Sequence, residues 1–356
     1  MIQPLYSVGE PTKYMTARSN TGVTAPRGFL ASGLHCGIRR FRPDLALVYS
    51  EYPANAACVY TTNKVQAAPL LVTKEHMQKS AGIAKAIIIN AGNANACTGK
   101  RGLKDAHRMA QAVAQQLGIN KNEVIVSSTG VIGEPLPIDQ IISGIPKVTD
   151  ALLTNGGKCA AKAIQTTDTI LKQSVRKVSW MGRCYTLGGM AKGSGMIHPN
   201  MATTLAFVTT DAGIDPSQLQ TCLTHATEQS FNRITVDGDT STNDMISLLA
   251  NGASGLKLPP LAIPAFQTAL TELLIDLARQ VASDGEGANR LITVRVTGAH
   301  DEASALQVAR TIAGSPLVKT AVHGADANWG RIIAAAGRAG VDMDPEKVEI
   351  RFNDLV

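Results

Sequence analysis

Between residues 86 and 126 the chain runs through an apolar strand, a turn-rich loop, an amphipathic helix and a second apolar strand, and that order points to a layered α/β fold. Ala86-Ile87-Ile88-Ile89 reads as a buried strand. It enters Asn90-Ala91-Gly92-Asn93-Ala94-Asn95-Ala96-Cys97-Thr98-Gly99, a loop rich in exposed backbone and amide donors. Leu103, Ala106, Ala110, Val113 and Leu117 recur at helical spacing, and Gly118 is placed to end the helix. Val124-Ile125-Val126 then delivers Ser127-Ser128-Thr129-Gly130 at a strand end.

Further along, strand and helix signals alternate without a regular βαβ series. Residues 175–180, 184–187 and 203–209 read as β-structure, and Asp215-Pro216 as the N-cap and first turn of a helix carrying Leu219, Leu223 and Ala226. A second long helix carries Phe266, Leu270, Leu274, Leu277 and Val281. After Asp284-Gly285-Glu286-Gly287 the pattern restarts: Ile292, Val294 and Val296 alternate as a strand, Ala305, Leu306, Ala309 and Ile312 mark a helix, and residues 317–322 read as another strand. The expected division is a main domain over 1–284 and a smaller α/β domain over 285–356. The chain stops directly after strand-like residues 348–352, so it reads as truncated at its C-terminus.

With 44% hydrophobic and 17% charged residues in 356, the chain can bury a large core. Its net charge of +6 raises the question of nucleic acid, but aromatics are 4% and no basic block carries interleaved aromatics. Arg39-Arg40 with Arg42, and Arg176-Lys177, read as solvated faces; a mild positive field suits small anionic substrates. The six cysteines are scattered without a CxxC pair, as expected of buried free thiols in a reducing compartment, with no metal. There is no 18-residue apolar run and no basic, then apolar, N-terminal leader, so the expectation is a cytoplasmic protein with no membrane partner.

The most unusual stretch is Gly188-Gly189-Met190-Ala191-Lys192-Gly193-Ser194-Gly195-Met196-Ile197-His198-Pro199-Asn200-Met201-Ala202-Thr203. A phosphate loop requires Gly-Lys-Ser/Thr, whereas the order here is Lys192-Gly193-Ser194; a dinucleotide loop requires a third glycine where His198 stands. A Gly-rich approach lets the backbone adopt strained conformations beside a hydroxyl, and strain can drive an N-to-O acyl shift. Cutting between Ala202 and Thr203 would give Thr203 a free α-amine, of unperturbed pKa about 7.7–8.0, as the base for its own hydroxyl. On residues alone, an Ala-Thr pair opening a strand reads as ordinary β-structure.

The runs 189–197 and 199–207 closely resemble the self-cleavage motif of the ornithine acetyltransferase family. The resemblance extends through residues 90–99, 128–133, 166–169, 284–288 and 328–331, with Thr204 where relatives often have Met and His198 where many have Ala. It implies an α-β-β-α sandwich holding the active site, followed by a smaller α/β domain. Thr203 matches the nucleophile, Thr129 and Gly130 the oxyanion hole, and Thr166, Lys192 and Glu286 substrate-binding positions. Without it, Ser-Ser-Thr-Gly is a strand-end turn, the two charged residues are surface charges, and Asp168 is a turn former.

The implied reaction is ping-pong acetyl transfer from N-acetylornithine to glutamate in arginine biosynthesis, with no cofactor, by α and β chains paired as α2β2. The family continues past this C-terminus with an Asn and a Ser or Thr that contact substrate. Alternatives are a bifunctional enzyme also accepting acetyl-CoA, an N-terminal-nucleophile amidase or aminopeptidase, and a small-molecule binding module.

Overall fold

The computed structural model describes residues 22–198 and 204–353. In chain order the elements are β1 (Phe29–Leu34), β2 (Leu45–Tyr60), α1 (Ala68–Lys79), β3 (Ile83–Asn93), α2 (Gly99–Leu117), β4 (Val124–Val131), α3 (Ile138–Asp150), α4 (Gly157–Ala163), β5 (Lys172–Trp180) and β6 (Arg183–Lys192). They continue with β7 (Leu205–Thr210), α5 (Pro216–Glu228), β8 (Met245–Ala250), α6 (Ile263–Ser283), α7 (Glu302–Ala313), α8 (Pro316–His323) and α9 (Trp329–Gly337). The sheet order is β4-β3-β2-β8-β7-β6-β5, with β1 also paired to β2.

The 16-residue β2 joins two halves of the sheet. Its first part pairs with β1 and β3; after a register shift between Tyr49 and Ala54, residues 55–60 pair with β8. Period-two alternation then sets the layers. Leu45, Leu47, Ile88 and Val126 face α2 and α3 through Met109, Val113 and Ile141. Their neighbours Ala46, Val48, Ile87 and Ile89 pack inward against Met190, Leu205, Phe207 and Met245 of the other half. On that half, Ala206, Val208 and Ile246 point outward to Leu219, Leu223, Phe266 and Leu270 of α5 and α6. The result is the expected helix–sheet–sheet–helix sandwich, each fully buried Leu or Ile contributing about 1.5–3 kcal/mol relative to exposure.

The opening motif folds as expected: β3 and β4 are parallel, and α2 between them ends at Gly118 with φ 64°. Helix α6 is long and apolar enough to span a membrane, yet its apolar side is buried in the sandwich. Three details differ from expectation. The glycines at 188 and 189 lie within β6 rather than in a loop, because the strand is packed too closely for side chains: a Cβ on Gly188 would sit 2.0 Å from the Gly22 carbonyl oxygen. Asp215 holds the N-cap position with Pro216 in the first turn, but its carboxylate makes no capping bond and faces Lys257 at 3.4 Å. The six cysteines are free, but Cys97, Cys159 and Cys184 are exposed.

The largest correction concerns the C-terminal unit. Residues 317–322 are helical in α8, where Ser315 caps the first turn and Pro316 pre-sets its φ; the β-branched content of Val318, Thr320 and Val322 had suggested a strand. Ile292, Val294 and Val296 alternate in exposure with their neighbours, but no strand forms there or over residues 348–352, where Phe352 alone makes a single β-bridge. The regular elements of the described part of this unit are the helices α7, α8 and α9 and a 3-10 turn at Pro345–Lys347. The unit has its own small core of Ile312, Val318, Ala335 and Ala336.

Candidate active site

The inner ends of β4 and β6 bring two expected residues together. Lys192, the last residue of β6, and Thr129, near the end of β4, are 3% and 4% exposed, and the Lys192 ammonium donates to Thr129 Oγ1 at 3.2 Å. Gly130 has φ 136°, and a Cβ there would lie 2.2 Å from the Gly92 carbonyl carbon; only glycine lets the two strand ends approach so closely. Ala202 and Thr203 lie outside the described residues. The described chain resumes at Thr204, whose carbonyl accepts from Met245 N at 3.2 Å.

The first part of the loop at 90–99 is buried rather than open, exposure beginning only at Cys97. Asn90, Asn93 and Asn95 are at most 5% exposed and spend their amides internally. Asn90 Nδ2 donates to the Asn93 carbonyl at 2.8 Å and its Oδ1 accepts from Ser128 Oγ at 2.6 Å, while Asn95 Nδ2 donates to the Gly102 carbonyl at 3.0 Å. Asn243, from the loop before β8, donates to the carbonyls of Ala94 at 2.6 Å and Ser128 at 2.9 Å. These bonds fix the strand end carrying Thr129.

Thr166, Lys192 and Glu286 sit on three separate segments held by one buried network. Asp168 Oδ2 accepts from Thr166 N at 2.9 Å, the expected turn-forming role. Its Oδ1 also accepts from Gly193 N at 2.8 Å and from the Lys172 ammonium at 2.7 Å. Lys172, 1% exposed, reaches Asp284 Oδ2 at 2.5 Å. The Asp284 carbonyl accepts from Ser194 Oγ at 2.6 Å, and the Ser194 carbonyl from Glu286 N at 2.9 Å. Glu286 itself is exposed, its carboxyl lying over Gly195, where a Cβ would come within 2.6 Å. The Thr166 carbonyl accepts from Arg39 Nη2 at 3.2 Å, so Arg39 braces this loop instead of lying on a solvated face.

The charges shift one another. Burial pulls the Lys192 ammonium below the usual lysine range, against the opposing effect of Asp168 and Asp244. Burial also pushes Asp168 up, but Lys192 and Lys172 outweigh it and hold the carboxyl below its usual value. A buried ammonium beside a strand-end hydroxyl, with charge around it nearly balanced, is suited to bind a carboxylate and to orient an acyl group.

A profile of the ArgJ family matches residues 30–356. The chain belongs to the ArgJ family. It is 50% identical over 343 residues to the arginine biosynthesis bifunctional protein ArgJ of Symbiobacterium thermophilum, covering 94% of this chain and 84% of that one. Among solved structures, ArgJ of Bacillus halodurans is 46% identical with a TM-score of 0.51, covering 54% of this chain and 100% of that chain. Ornithine acetyltransferase of Mycobacterium tuberculosis is 42% identical with a TM-score of 0.48, covering 53% and 98%. The resemblance drawn from the run around Thr203 is thus borne out at the level of family. What sequence reading missed in this ArgJ chain is the support: Lys172, Asp284, Asn243 and Arg39.

Proposed function

We propose that this chain is a self-processed acetyltransferase of arginine biosynthesis, moving acetyl from N-acetylornithine to glutamate through an ester on Thr203. The observation carrying the reading is the buried Lys192–Thr129 contact at strand ends from opposite halves of the sandwich, beside the strand that follows Thr203. Lys192 binds the α-carboxylate common to both substrates. Thr129 Oγ1 and the Gly130 N–H receive the oxyanion of the tetrahedral intermediate, and the Thr203 amine takes the proton of its hydroxyl. Ornithine leaves, and the neutral amine of glutamate attacks the ester. No cofactor enters either step.

Cleavage before Thr203 would leave one body, because β7 lies between β6 and β8 in the middle of the sheet. Pairing of two such bodies as α2β2 is part of the proposal. The B. halodurans chain, matched along its whole length yet covering 54% of this one, is close in size to the segment ahead of Thr203 and supports the two-chain reading.

Product analysis with and without glutamate tests the assignment. Beyond the one equivalent per Thr203 that forms the acetyl-enzyme, ornithine release should require glutamate and match N-acetylglutamate formation mole for mole; continued glutamate-independent release with free acetate would make the enzyme an amidase. The relatives' description as bifunctional calls for one more assay, glutamate acetylation with acetyl-CoA as donor.

Thr129→Ala is expected to lower kcat by about 10²–10³-fold with less effect on KM, since the oxyanion contact matters most in the transition state. Steady-state kinetics checks this, and a loss confined to KM contradicts the role. Glu286 can pair with the donor's distal ammonium but not with the anionic end of glutamate. Glu286→Gln should therefore cost the donor half-reaction about 1.5–3 kcal/mol and spare discharge of the acetyl-enzyme by glutamate. Equal losses in the two half-reactions would assign Glu286 to general support of the site.

A further inference from the structure

The residues leading from β6 toward Thr203 are gripped by a loop far along the chain. Met196 has φ 61°, a left-handed conformation uncommon for a residue with a long side chain. Asp237 Oδ2 accepts from Met196 N at 2.5 Å and Oδ1 from Ile197 N at 3.0 Å, so one carboxylate takes two consecutive backbone amides. The Ile197 carbonyl accepts from Val236 N at 2.8 Å and from Thr235 Oγ1 at 3.3 Å. With its proton spent there, Thr235 Oγ1 is left to accept from His198 Nδ1, 3.2 Å away. The Ile197 side chain is fully buried in the same core as Leu223 of α5 and Phe266 of α6.

The gripping loop is itself braced. Lys319 Nζ of α8 donates to the Val236 carbonyl at 2.6 Å, and Arg310 Nη2 of α7 to the Asn232 carbonyl at 2.6 Å. Asp237 is exposed, and an aspartate that only shaped its own loop would need no more than the bond it accepts from Asp239 N at 3.1 Å. The bonds to Met196 and Ile197 reach across to the segment ahead of the proposed cut. Downstream of that cut, Met245 N donates to the Thr204 carbonyl, and Leu205 opens β7 in the middle of the sheet. The Ala202–Thr203 bond is thus flanked by two anchored points, and the groups that anchor both come from residues after the cut. The transfer site is held separately, Gly193 N by Asp168 and Ser194 Oγ by the Asp284 carbonyl.

We propose that Asp237 is a positioning residue for self-cleavage, fixing the upstream end of the segment that carries the Ala202–Thr203 bond, and that it serves processing and not acetyl transfer. This rests on the reading that Thr203 cleaves its own chain. In that reaction Thr203 Oγ1 adds to the Ala202 carbonyl carbon, and the peptide nitrogen takes up the hydroxyl proton as the C–N bond breaks. Water then hydrolyses the ester to the Ala202 carboxylate and the free Thr203 hydroxyl. The attacking oxygen is joined to β7, while the carbonyl belongs to the chain arriving from Ile197, so their approach depends on both anchors. A misplacement of about 1 Å costs about 10²-fold in such a step. Once the bond is cut, the gripped segment is only the end of the first chain, and Thr203 remains joined to β7.

The test follows cleavage by intact mass after cell-free synthesis of the native chain and of Asp237→Asn, then measures steady-state kinetics of each cut fraction, its active sites counted by the burst of ornithine. Asparagine keeps one acceptor oxygen and loses the other, so cleavage should slow by about 10–10²-fold while the cut fraction keeps the native kcat and donor KM. Cleavage at the native rate overturns the proposal, and so does a cut fraction whose kcat falls along with the cleavage rate. Should Asp237→Asn not fold, Thr235→Val removes one donor from the Ile197 carbonyl and leaves the carboxylate in place. Slower cleavage at unchanged kcat then supports the grip, and cleavage at the native rate overturns it. A native chain that is never cut refutes self-cleavage itself, whereas native and Asp237→Asn chains cut equally fast refute the role of Asp237 alone.

Discussion

Thr203→Ala should leave a single uncut chain on a denaturing gel and abolish acetyl transfer, the largest effect expected of any one substitution. The same hydroxyl attacks the Ala202 carbonyl during cleavage and the acetyl carbonyl during turnover, and alanine supplies no nucleophile for either. Thr203→Ser keeps both the hydroxyl and the adjacent amine, so it should process and turn over, though more slowly. Acetyl transfer by purified Thr203→Ala protein would remove Thr203 from the mechanism.

Lys172→Met should cost stability on the order of 3–5 kcal/mol, because it leaves Asp168 and Asp284 buried with their shared cation gone. Denaturant unfolding measures the loss. Replacing both aspartates by asparagine in the Lys172→Met background should recover part of it, since the uncompensated charges are then absent. The pH dependence has a definite sign. Asp168 and Asp284 are held below the usual carboxylate range, against the upward push of burial, by Lys192 and Lys172 for the first and by Lys172 and Thr169 for the second. Their contribution is present above about pH 4 and is lost as pH falls through the depressed folded values. The gap between native and Lys172→Met protein should therefore narrow in acid. A gap that is small at neutral pH, or independent of pH, would mean that the triad does not hold Thr166, Lys192 and Glu286 in place.

Legibility from sequence followed the range of the interactions concerned. The unit β3–α2–β4 could be read because its signals are local: an isoleucine run, helical spacing, and Gly118 at the left-handed cap. Helix α8 was misread because the β-branched character of residues 317–322 is also local, whereas the Ser315-Pro316 start outweighs it. The glycines of β6 read as a strained approach to Thr203, whereas what Gly188 and Gly189 admit is close packing by Gly22 and Leu273, far away in the chain. The site residues Thr129, Thr166, Lys192 and Glu286 were found through motif resemblance. Lys172 was not, because its significance lies in what surrounds it, two buried carboxylates from distant parts of the chain.

Intact-mass measurement of the purified protein, with N-terminal sequencing of whatever chains are present, tests the central claim most directly. Self-processing at Thr203 predicts two chains that stay together until denatured, the second beginning Thr203-Thr204-Leu205-Ala206. One chain of full mass after prolonged incubation, still able to transfer acetyl groups to glutamate, would contradict it.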